Sequence, residues 1–286
     1  MIACKPRRDI SERRRFLSPT RVERPRKRPF VTIGIGFRCD DGIVMCADTQ
    51  ITWPESHKYY ECKVYEHRTE AWTMVNTFSG DPEMAKVFNE KFDAAMALVG
   101  GPYVGQKIHD VIETVLGFFE GSNSFNMLCA VVIPNAEMRL FRTTGNLVRE
   151  VDQYDYIGAG DSSLLRYLGS LLTECLGREF GSEYAYHLGC YFVLKAKVFI
   201  DGCGGDTTAI IVRPHGNIEV RNGDTYNTEQ KFMWLEKSFR MAAAASFDCR
   251  VPDRNVDDLL GKMVEKLKQT HGEMKIRIPW NPKDHR

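Results

Sequence analysis

Thr32 stands where a basic N-terminal stretch ends and a β-rich sequence begins. A threonine hydroxyl is a weak nucleophile until a base removes its proton. If the peptide bond before Thr32 were broken, the freed α-amino group, with a reference pKa of about 7.7–8.0, could accept that proton directly or through water. The chemistry open to Thr32 is therefore attack on a carbonyl, and it depends on removal of the preceding residues.

The other reactive side chains form no recognisable metal or cofactor motif. Nine cysteines are scattered from Cys4 to Cys249 without a CxxC pair, and the seven histidines are dispersed without an HExxH motif. Gly-Ala-Gly at residues 158–160 follows a strand, as a dinucleotide fingerprint would, but Ser163 replaces the third glycine and the preceding elements are not βαβ units. We therefore expect reduced thiols, no metal site and no cofactor.

Residues 1–31 form a basic leader that differs in composition from the rest of the chain. Residues 1–30 carry eleven Lys/Arg against three Asp/Glu, a net charge of +8, which leaves −7 on the remainder. The leader is rich in Arg and Pro and has no sustained apolar period, so it cannot bury enough surface to offset the entropy of ordering. We expect it to be disordered or removed as a propeptide. A nucleic-acid-binding arm is the alternative, although no aromatic interleaving or recognition motif accompanies the charge.

Beyond the leader, the apolar pattern predicts blocks of strands that alternate with pairs of helices. The Asp-Gly turn at residues 41–42 predicts a first hairpin, and a second hairpin surrounds residues 68–70. This order predicts an α+β fold in which helix layers cover a two-sheet sandwich, a four-layer αββα domain over residues 32–223. Residues 224–286 are predicted to form a helical C-terminal extension, whose second helix is capped by Asn255.

The start of this domain resembles the opening hairpin of proteasome β subunits and their bacterial relatives, which are N-terminal-nucleophile (Ntn) hydrolases. The matching segments are TIGIG at residues 32–36, DGIV at residues 41–44 and ADTQ at residues 47–50. In element order the resemblance covers roughly residues 31–222. It implies the four-layer fold of a proteasome A/B-type subunit.

The resemblance also implies a set of catalytic residues. The family's nucleophilic threonine falls on Thr32 and its acidic residue on Asp48, and its lysine falls on Lys63 with one residue fewer in the intervening loop. The lysine charge would favour the neutral form of a neighbouring amine, and Asp48 would pair with it. Gly80 matches the glycine whose backbone N–H stabilises the oxyanion, and Asp201 matches a later family aspartate. The alternatives are a strand-end turn residue for Asp48, a solvated lysine for Lys63 and an ordinary turn for Gly80.

Three features depart from the family pattern. The family has glycine before its nucleophile, where this chain has the branched Val31. It has Gly-Ser-Gly where residues 158–160 are Gly-Ala-Gly, so a supporting hydroxyl is absent. The later aspartate-serine-glycine motif is represented by DGCGG at residues 201–205, one residue short and with Cys203 in place of serine. These departures keep open an inactive scaffold subunit in which Thr32 stays internal.

The leading hypothesis is a threonine-type amidohydrolase, a proteasome-like endopeptidase that uses Thr32 after removal of residues 1–31. A catalytically inactive ring scaffold and a non-proteolytic Ntn amidase are the alternatives. The resemblance implies peptide or protein substrates, a homo-oligomeric ring, and an ATP-dependent unfoldase or gate as a partner. No apolar run approaches the ~20 residues needed to span a bilayer, and the N-terminus lacks the apolar core of a secretory signal. We therefore expect a soluble cytoplasmic protein with no membrane or nucleic-acid partner.

Overall fold

The computed structural model describes residues 32–52, 58–98, 104–119, 125–134, 137–158, 166, 169–170, 181–248 and 250–277. The predicted leader, Val31, Ala159 and most of a helix predicted over residues 164–175 lie outside the described residues.

Within the described ranges the chain forms twelve strands and five helices. The strands are β1 (Ile33–Cys39), β2 (Gly42–Asp48), β3 (Gln50–Thr52), β4 (Lys58–Tyr60), β5 (Val64–Arg68), β6 (Thr73–Ser79), β7 (Asn126–Ile133), β8 (Glu137–Thr144), β9 (Leu147–Glu150), β10 (Tyr154–Gly158), β11 (Thr207–Val212) and β12 (Ile218–Val220). The helices are α1 (Pro82–Leu98), α2 (Val104–Gly117), α3 (Ser182–Phe199), α4 (Asn222–Phe247) and α5 (Asp253–Arg277).

The described strands form two five-stranded sheets and a two-stranded ribbon. The first sheet has the order β10-β1-β2-β11-β12, the second has the order β5-β6-β7-β8-β9, and β3 pairs with β4. Every pairing is antiparallel. The β1–β2 hairpin closes with Cys39 opposite Gly42 around the Asp-Gly turn, and the β5–β6 hairpin closes with Arg68 opposite Thr73. Both predicted hairpins are confirmed.

Three buried apolar clusters hold these elements together. One joins β1, β2 and β11 to α3, and a second joins β6 and β7 to α1 and α2. The third contains residues of both sheets, including Met45 of the first and Leu140 of the second. Along β6, Met74 and Phe78 pack in the second cluster whereas Val75 packs in the third, as the two-residue period of a strand requires. The predicted mixed α+β class is confirmed.

Two long helices follow the last strand. Asn222 begins α4, and its side-chain Oδ1 accepts a hydrogen bond of 3.1 Å from the backbone N–H of Ala209, which ties the helix to β11. Asn255 lies inside α5 and not at its start, because Asp253 already begins that helix with an acidic side chain in its first turn. No helix within the described part of the chain has the length and apolar character needed to cross a bilayer.

Candidate active site

The candidate site lies where the start of β1, the end of β2 and the start of β5 meet. Thr32 immediately precedes β1, Asp48 ends β2, and Lys63 immediately precedes β5. The antiparallel register places Gly34 opposite Ala47, so Thr32 and Asp48 lie at the same end of the hairpin although 16 residues separate them. Lys63 reaches them from the second sheet. The structure thus brings together three of the five residues that the sequence singled out.

The three side chains form one buried hydrogen-bonded cluster. Thr32 Oγ1 donates to Asp48 Oδ1 at 3.2 Å, and Lys63 Nζ donates to the same oxygen at 2.7 Å. Lys63 Nζ also donates to Thr32 Oγ1 and to the backbone carbonyl of Gln50. Thr32 is 4%, Asp48 0% and Lys63 2% exposed. The alternative of a solvated Lys63 is therefore wrong.

Backbone groups fix the orientation of the Asp48 carboxylate. The N–H of Ile33 donates to Oδ1 at 3.1 Å, and the N–H of Gly204 donates to Oδ2 at 3.0 Å. Gly204 is in turn held by its carbonyl, which accepts from the N–H of Gln50 at 3.1 Å. A Cβ at Gly204 would lie 2.4 Å from the Gln50 side chain, so glycine permits this approach. The sequence singled out the segments that contain Gln50 and Gly204, ADTQ at residues 47–50 and DGCGG at residues 201–205. It did not indicate that they meet at Asp48, because the glycine pair after Cys203 marks a tight loop without revealing its partner.

Burial sets the protonation behaviour of the site. Desolvation lowers the pKa of Lys63, and the charge of Asp48 opposes that lowering only in part. Desolvation, with the Asp48 charge adding to it, raises the pKa of the Cys203 thiol to about 12. Cys203 is therefore protonated at neutral pH and is a poor nucleophile. Burial thus moves the pKa of Lys63 and that of Cys203 in opposite directions, in each case toward the neutral form.

Gly158 lies beside the Thr32 backbone and close to Ser79, which directly precedes Gly80. Both glycines adopt positive φ angles, 123° at Gly80 and 70° at Gly158, which glycine tolerates without a Cβ penalty. A Cβ at Gly158 would lie 2.3 Å from the carbonyl oxygen of Thr32 and 2.8 Å from Oγ of Ser79. Ser79 and Gly158 therefore meet next to Thr32. Gly80 is the residue directly after Ser79. Ala159, where the family has serine, lies outside the described residues.

Asp201 lies in the exposed turn after α3. In the described part of the chain, no hydrogen bond connects it with Thr32, Asp48 or Lys63. The loop that contains Asp201 instead contributes the backbone N–H of Gly204 to the site. A catalytic role for Asp201 stays a prediction.

The described residues include no group of three or more His, Cys, Asp or Glu side chains placed to hold a metal ion. Their cysteines are all free thiols: Cys39, Cys46, Cys62, Cys129, Cys190 and Cys203.

The fold and the site together define a mixed α+β protein whose two antiparallel sheets enclose a buried threonine, lysine and aspartate. Solved structures of Anbu share this fold. An Anbu (Gly-1) mutant from Hyphomicrobium sp. strain MC1 aligns with a TM-score of 0.61 at 14% identity, over 74% of this chain and 96% of that chain. Anbu (ancestral beta-subunit) from Yersinia bercovieri aligns at 0.58 and 13%, over 74% and 97%. Anbu from Pseudomonas aeruginosa, solved as a helical assembly, aligns at 0.53 and 11%, over 89% and 100%.

No family model and no curated protein matches the chain. The assignment to proteasome A/B-type subunits is therefore wrong, since the similar solved structures are Anbu proteins, one of them described as an ancestral beta-subunit. A hairpin of about twenty residues identifies a shared architecture, but it is too short to separate one branch of that architecture from another. At these identities the likeness establishes the fold alone.

Proposed function

We propose that this chain is a threonine-type amidohydrolase in which Thr32 acts as the nucleophile after removal of residues 1–31. The observation that supports the proposal best is the buried cluster in which Lys63 Nζ donates to Thr32 Oγ1 and lies 2.7 Å from Asp48 Oδ1. In this cluster the Thr32 hydroxyl has both a proton acceptor and a cation at hydrogen-bond distance. A lysine–aspartate pair exposed to solvent and apart from Thr32 would give the hydroxyl neither.

Two uses of the same cluster follow from its chemistry. In the intact chain, Lys63 in its neutral form takes the hydroxyl proton while Thr32 Oγ1 attacks the carbonyl carbon of Val31. In the processed chain, the freed α-amine of Thr32 takes that proton, and the positive charge of Lys63 favours the neutral form of the amine. The backbone N–H of Gly80 is the proposed donor to the oxyanion in both reactions. A peptide or protein is the proposed substrate.

The proposal includes a four-layer αββα arrangement over residues 32–223. The three apolar clusters favour it, because they lie between α3 and the first sheet, between the two sheets, and between the second sheet and α1 with α2. Residues 224–286 are proposed to form a C-terminal extension, although α4 begins slightly earlier, at Asn222.

We also propose that copies of this chain assemble with one another. Phe239 is 63% exposed and lines an apolar groove together with Phe232, Leu235, Met263 and Leu267 of α4 and α5, and contiguous exposed apolar surface commonly marks a protein interface. The Pseudomonas aeruginosa Anbu structure is a helical assembly. An open helical arrangement of subunits is therefore the alternative to a closed ring in this proposal. An ATP-dependent unfoldase remains part of the same proposal.

Intact mass spectrometry of the purified protein tests the central step. We expect wild type to begin at Thr32 and Thr32→Ala to retain residues 1–31. Thr73→Ala is the matched control. Thr73 is also a buried threonine, 3% exposed, and its hydroxyl donates to the backbone carbonyl of Gly216. It begins β6 and so lies at the opposite end of that strand from Ser79. The control should be processed as wild type is. Wild type that keeps its leader would favour a scaffold function, and amide hydrolysis unaffected by Thr32→Ala would refute the proposal.

A further inference from the structure

Three polar side chains near Thr32 have unmet hydrogen-bonding capacity. Oγ1 of Thr77 and Oδ1 of Asn126 are buried and have no hydrogen-bond partner among the residues that the structure describes. Ser79 is 5% exposed, and its hydroxyl makes no hydrogen bond within the described residues. Most buried polar groups in folded proteins are paired with protein or with ordered water, so a cluster of unpaired groups needs a physical reason.

The strand register shows that these side chains share one face. Ser79 lies directly opposite Asn126, and Thr77 lies directly opposite Leu128. Leu128 and Val75 belong to the apolar cluster between the two sheets, and strand residues two positions apart point to the same side. Thr77, Ser79 and Asn126 therefore face the first sheet. Directly opposed residues have Cβ atoms about 4.5–5.5 Å apart, so the Ser79 hydroxyl and the Asn126 amide are neighbours.

This polar face adjoins the Thr32 backbone. The Cβ position of Gly158 lies 2.8 Å from Ser79 Oγ and 2.3 Å from the carbonyl oxygen of Thr32. The Cβ position of Gly34, two residues after Thr32, lies 2.7 Å from a methyl group of Thr77. Only glycine at these two positions allows the sheets to approach so closely. The Ser79 and Asn126 pair is thus at the edge of the site and not in a remote part of the core.

We propose that Ser79 and Asn126 hold the water molecule that hydrolyses the ester formed on Thr32. A hydroxyl that donates beside an amide oxygen that accepts complements water, which both accepts and donates. The water would accept from Ser79 Oγ and donate to Asn126 Oδ1, which satisfies both groups. Ser79 and Asn126 are positioning residues in this account, and the inference rests on the proposed function of Thr32.

The removal of the leader supplies a reaction in which this water is needed. Thr32 Oγ1 gives its proton to Lys63 and forms a bond to the Val31 carbonyl carbon. The Val31–Thr32 C–N bond then breaks, and Lys63 passes the proton to the departing nitrogen, which becomes the α-amine. The water oxygen then bonds to the same carbon, the ester C–O bond breaks, and a water proton returns to Thr32 Oγ1. The leader leaves with a new carboxyl group at Val31, whose proton passes to the amine or to solvent. A substrate acyl group on Thr32 would be released in the same way.

The ester and the intact chain have the same mass but differ in chemistry, which makes the step measurable. Brief treatment with neutral hydroxylamine cleaves an ester and releases residues 1–31 as a hydroxamate, whereas the ordinary peptide bond survives. The one Asn-Gly bond of the sequence, Asn222–Gly223, yields a fragment of different size under harsher treatment and cannot be mistaken for the leader. The measurement uses the full chain, purified and followed over time.

We expect Ser79→Ala and Asn126→Leu to accumulate a full-length species that hydroxylamine converts, with ester hydrolysis slowed on the order of 10- to 100-fold, the effect of misplacing a reacting group by about 1 Å. Asn126→Asp keeps an acceptor oxygen at the same position and should mature faster than Asn126→Leu. Asn76→Leu is the matched control, because its Oδ1 is also buried and unpaired, but Asn76 donates to Asn89 of α1 and thus faces away from Thr32. We expect Asn76→Leu to accumulate no ester.

Each other result overturns the inference in a distinguishable way. Maturation of Ser79→Ala and Asn126→Leu at the wild-type rate would show that neither residue positions the water. A full-length product that resists hydroxylamine would place their effect before the ester. Ester accumulation in Asn76→Leu would indicate a general packing effect. Wild type that never matures would refute the proposed function itself, and this inference with it.

Discussion

Lys63 is the residue on which the candidate site depends most, because its ammonium group is buried between a hydroxyl, a carboxylate and a backbone carbonyl. Lys63→Met should stop removal of the leader, a loss of at least about 100-fold in rate for a general base. Lys195→Met is the matched control, since Lys195 is 7% exposed and pairs with Glu236 away from Thr32. Time courses of intact mass distinguish the two variants. Equal processing in both would remove Lys63 from the mechanism.

Asp48 allows stability and chemistry to be separated. Asp48→Asn leaves the Lys63 charge buried without its counterion, and breaking such a pair typically costs about 3–5 kcal/mol. The double variant Asp48→Asn/Lys63→Met removes both charges and should regain much of that free energy of unfolding, while still failing to mature. Urea denaturation measures the first quantity and intact mass the second. If the double variant regained both its stability and its maturation, the Asp48–Lys63 pair would serve the fold alone.

The lowered pKa of Lys63 predicts a specific pH dependence of stability. In the unfolded chain a lysine has a pKa near 10.4, whereas in the folded chain the pKa of Lys63 is lower. At pH values between these two pKa values, the unfolded chain binds more protons than the folded chain. The contribution of Lys63 to the free energy of unfolding therefore rises as pH increases through this window. The difference between wild type and Lys63→Met, measured by urea denaturation from about pH 8 to about pH 10, should grow in favour of wild type. A flat or falling difference would contradict the effect assigned to burial.

At the scale of elements, the end of β10 must approach the start of β1 closely. Gly158→Ala would place a Cβ 2.3 Å from the Thr32 carbonyl oxygen, whereas Gly216→Ala would place one 2.8 Å from the Thr73 side chain. Both glycines have positive φ angles, 70° and 78°, so each variant should lose roughly 1–2 kcal/mol from backbone strain. Only Gly158→Ala should also slow maturation, because it displaces Thr32. Thermal unfolding and intact mass measure the two effects, and similar maturation in both variants would refute the contact argument.

At the scale of the whole molecule, the proposed self-assembly predicts that an exposed apolar side chain on α4 is covered in the oligomer. Phe239→Ser should shift the protein toward smaller species, whereas Leu147→Ser, at a 75% exposed position on β9, should not. Size-exclusion chromatography with light scattering over a range of concentrations measures the change. Wild type that stays monomeric at every concentration would contradict the assembly proposal.

The sequence by itself determined the local elements and the positions of the three clustered residues. The Asp-Gly turn fixed the first hairpin because its geometry is set by adjacent residues, and the two-residue apolar period identified the buried strands. The β3–β4 ribbon was missed, since three residues per strand carry too little pattern. Thr32, Asp48 and Lys63 were recognised through the resemblance of the opening hairpin to proteasome β subunits, and all three lie in or directly before the first two hairpins.

Only the tertiary structure decided what surrounds that cluster. Gly204, Gly158 and Asn126 come from segments distant from Thr32 in the chain, and no periodicity in a sequence records which backbone N–H meets which carboxylate across two sheets. The same holds for the burial of Lys63, because its charge gives a solvated strand lysine as the default. Hydrogen bonds and desolvation depend on distances between chain segments, and those distances exist only once the sheets have packed.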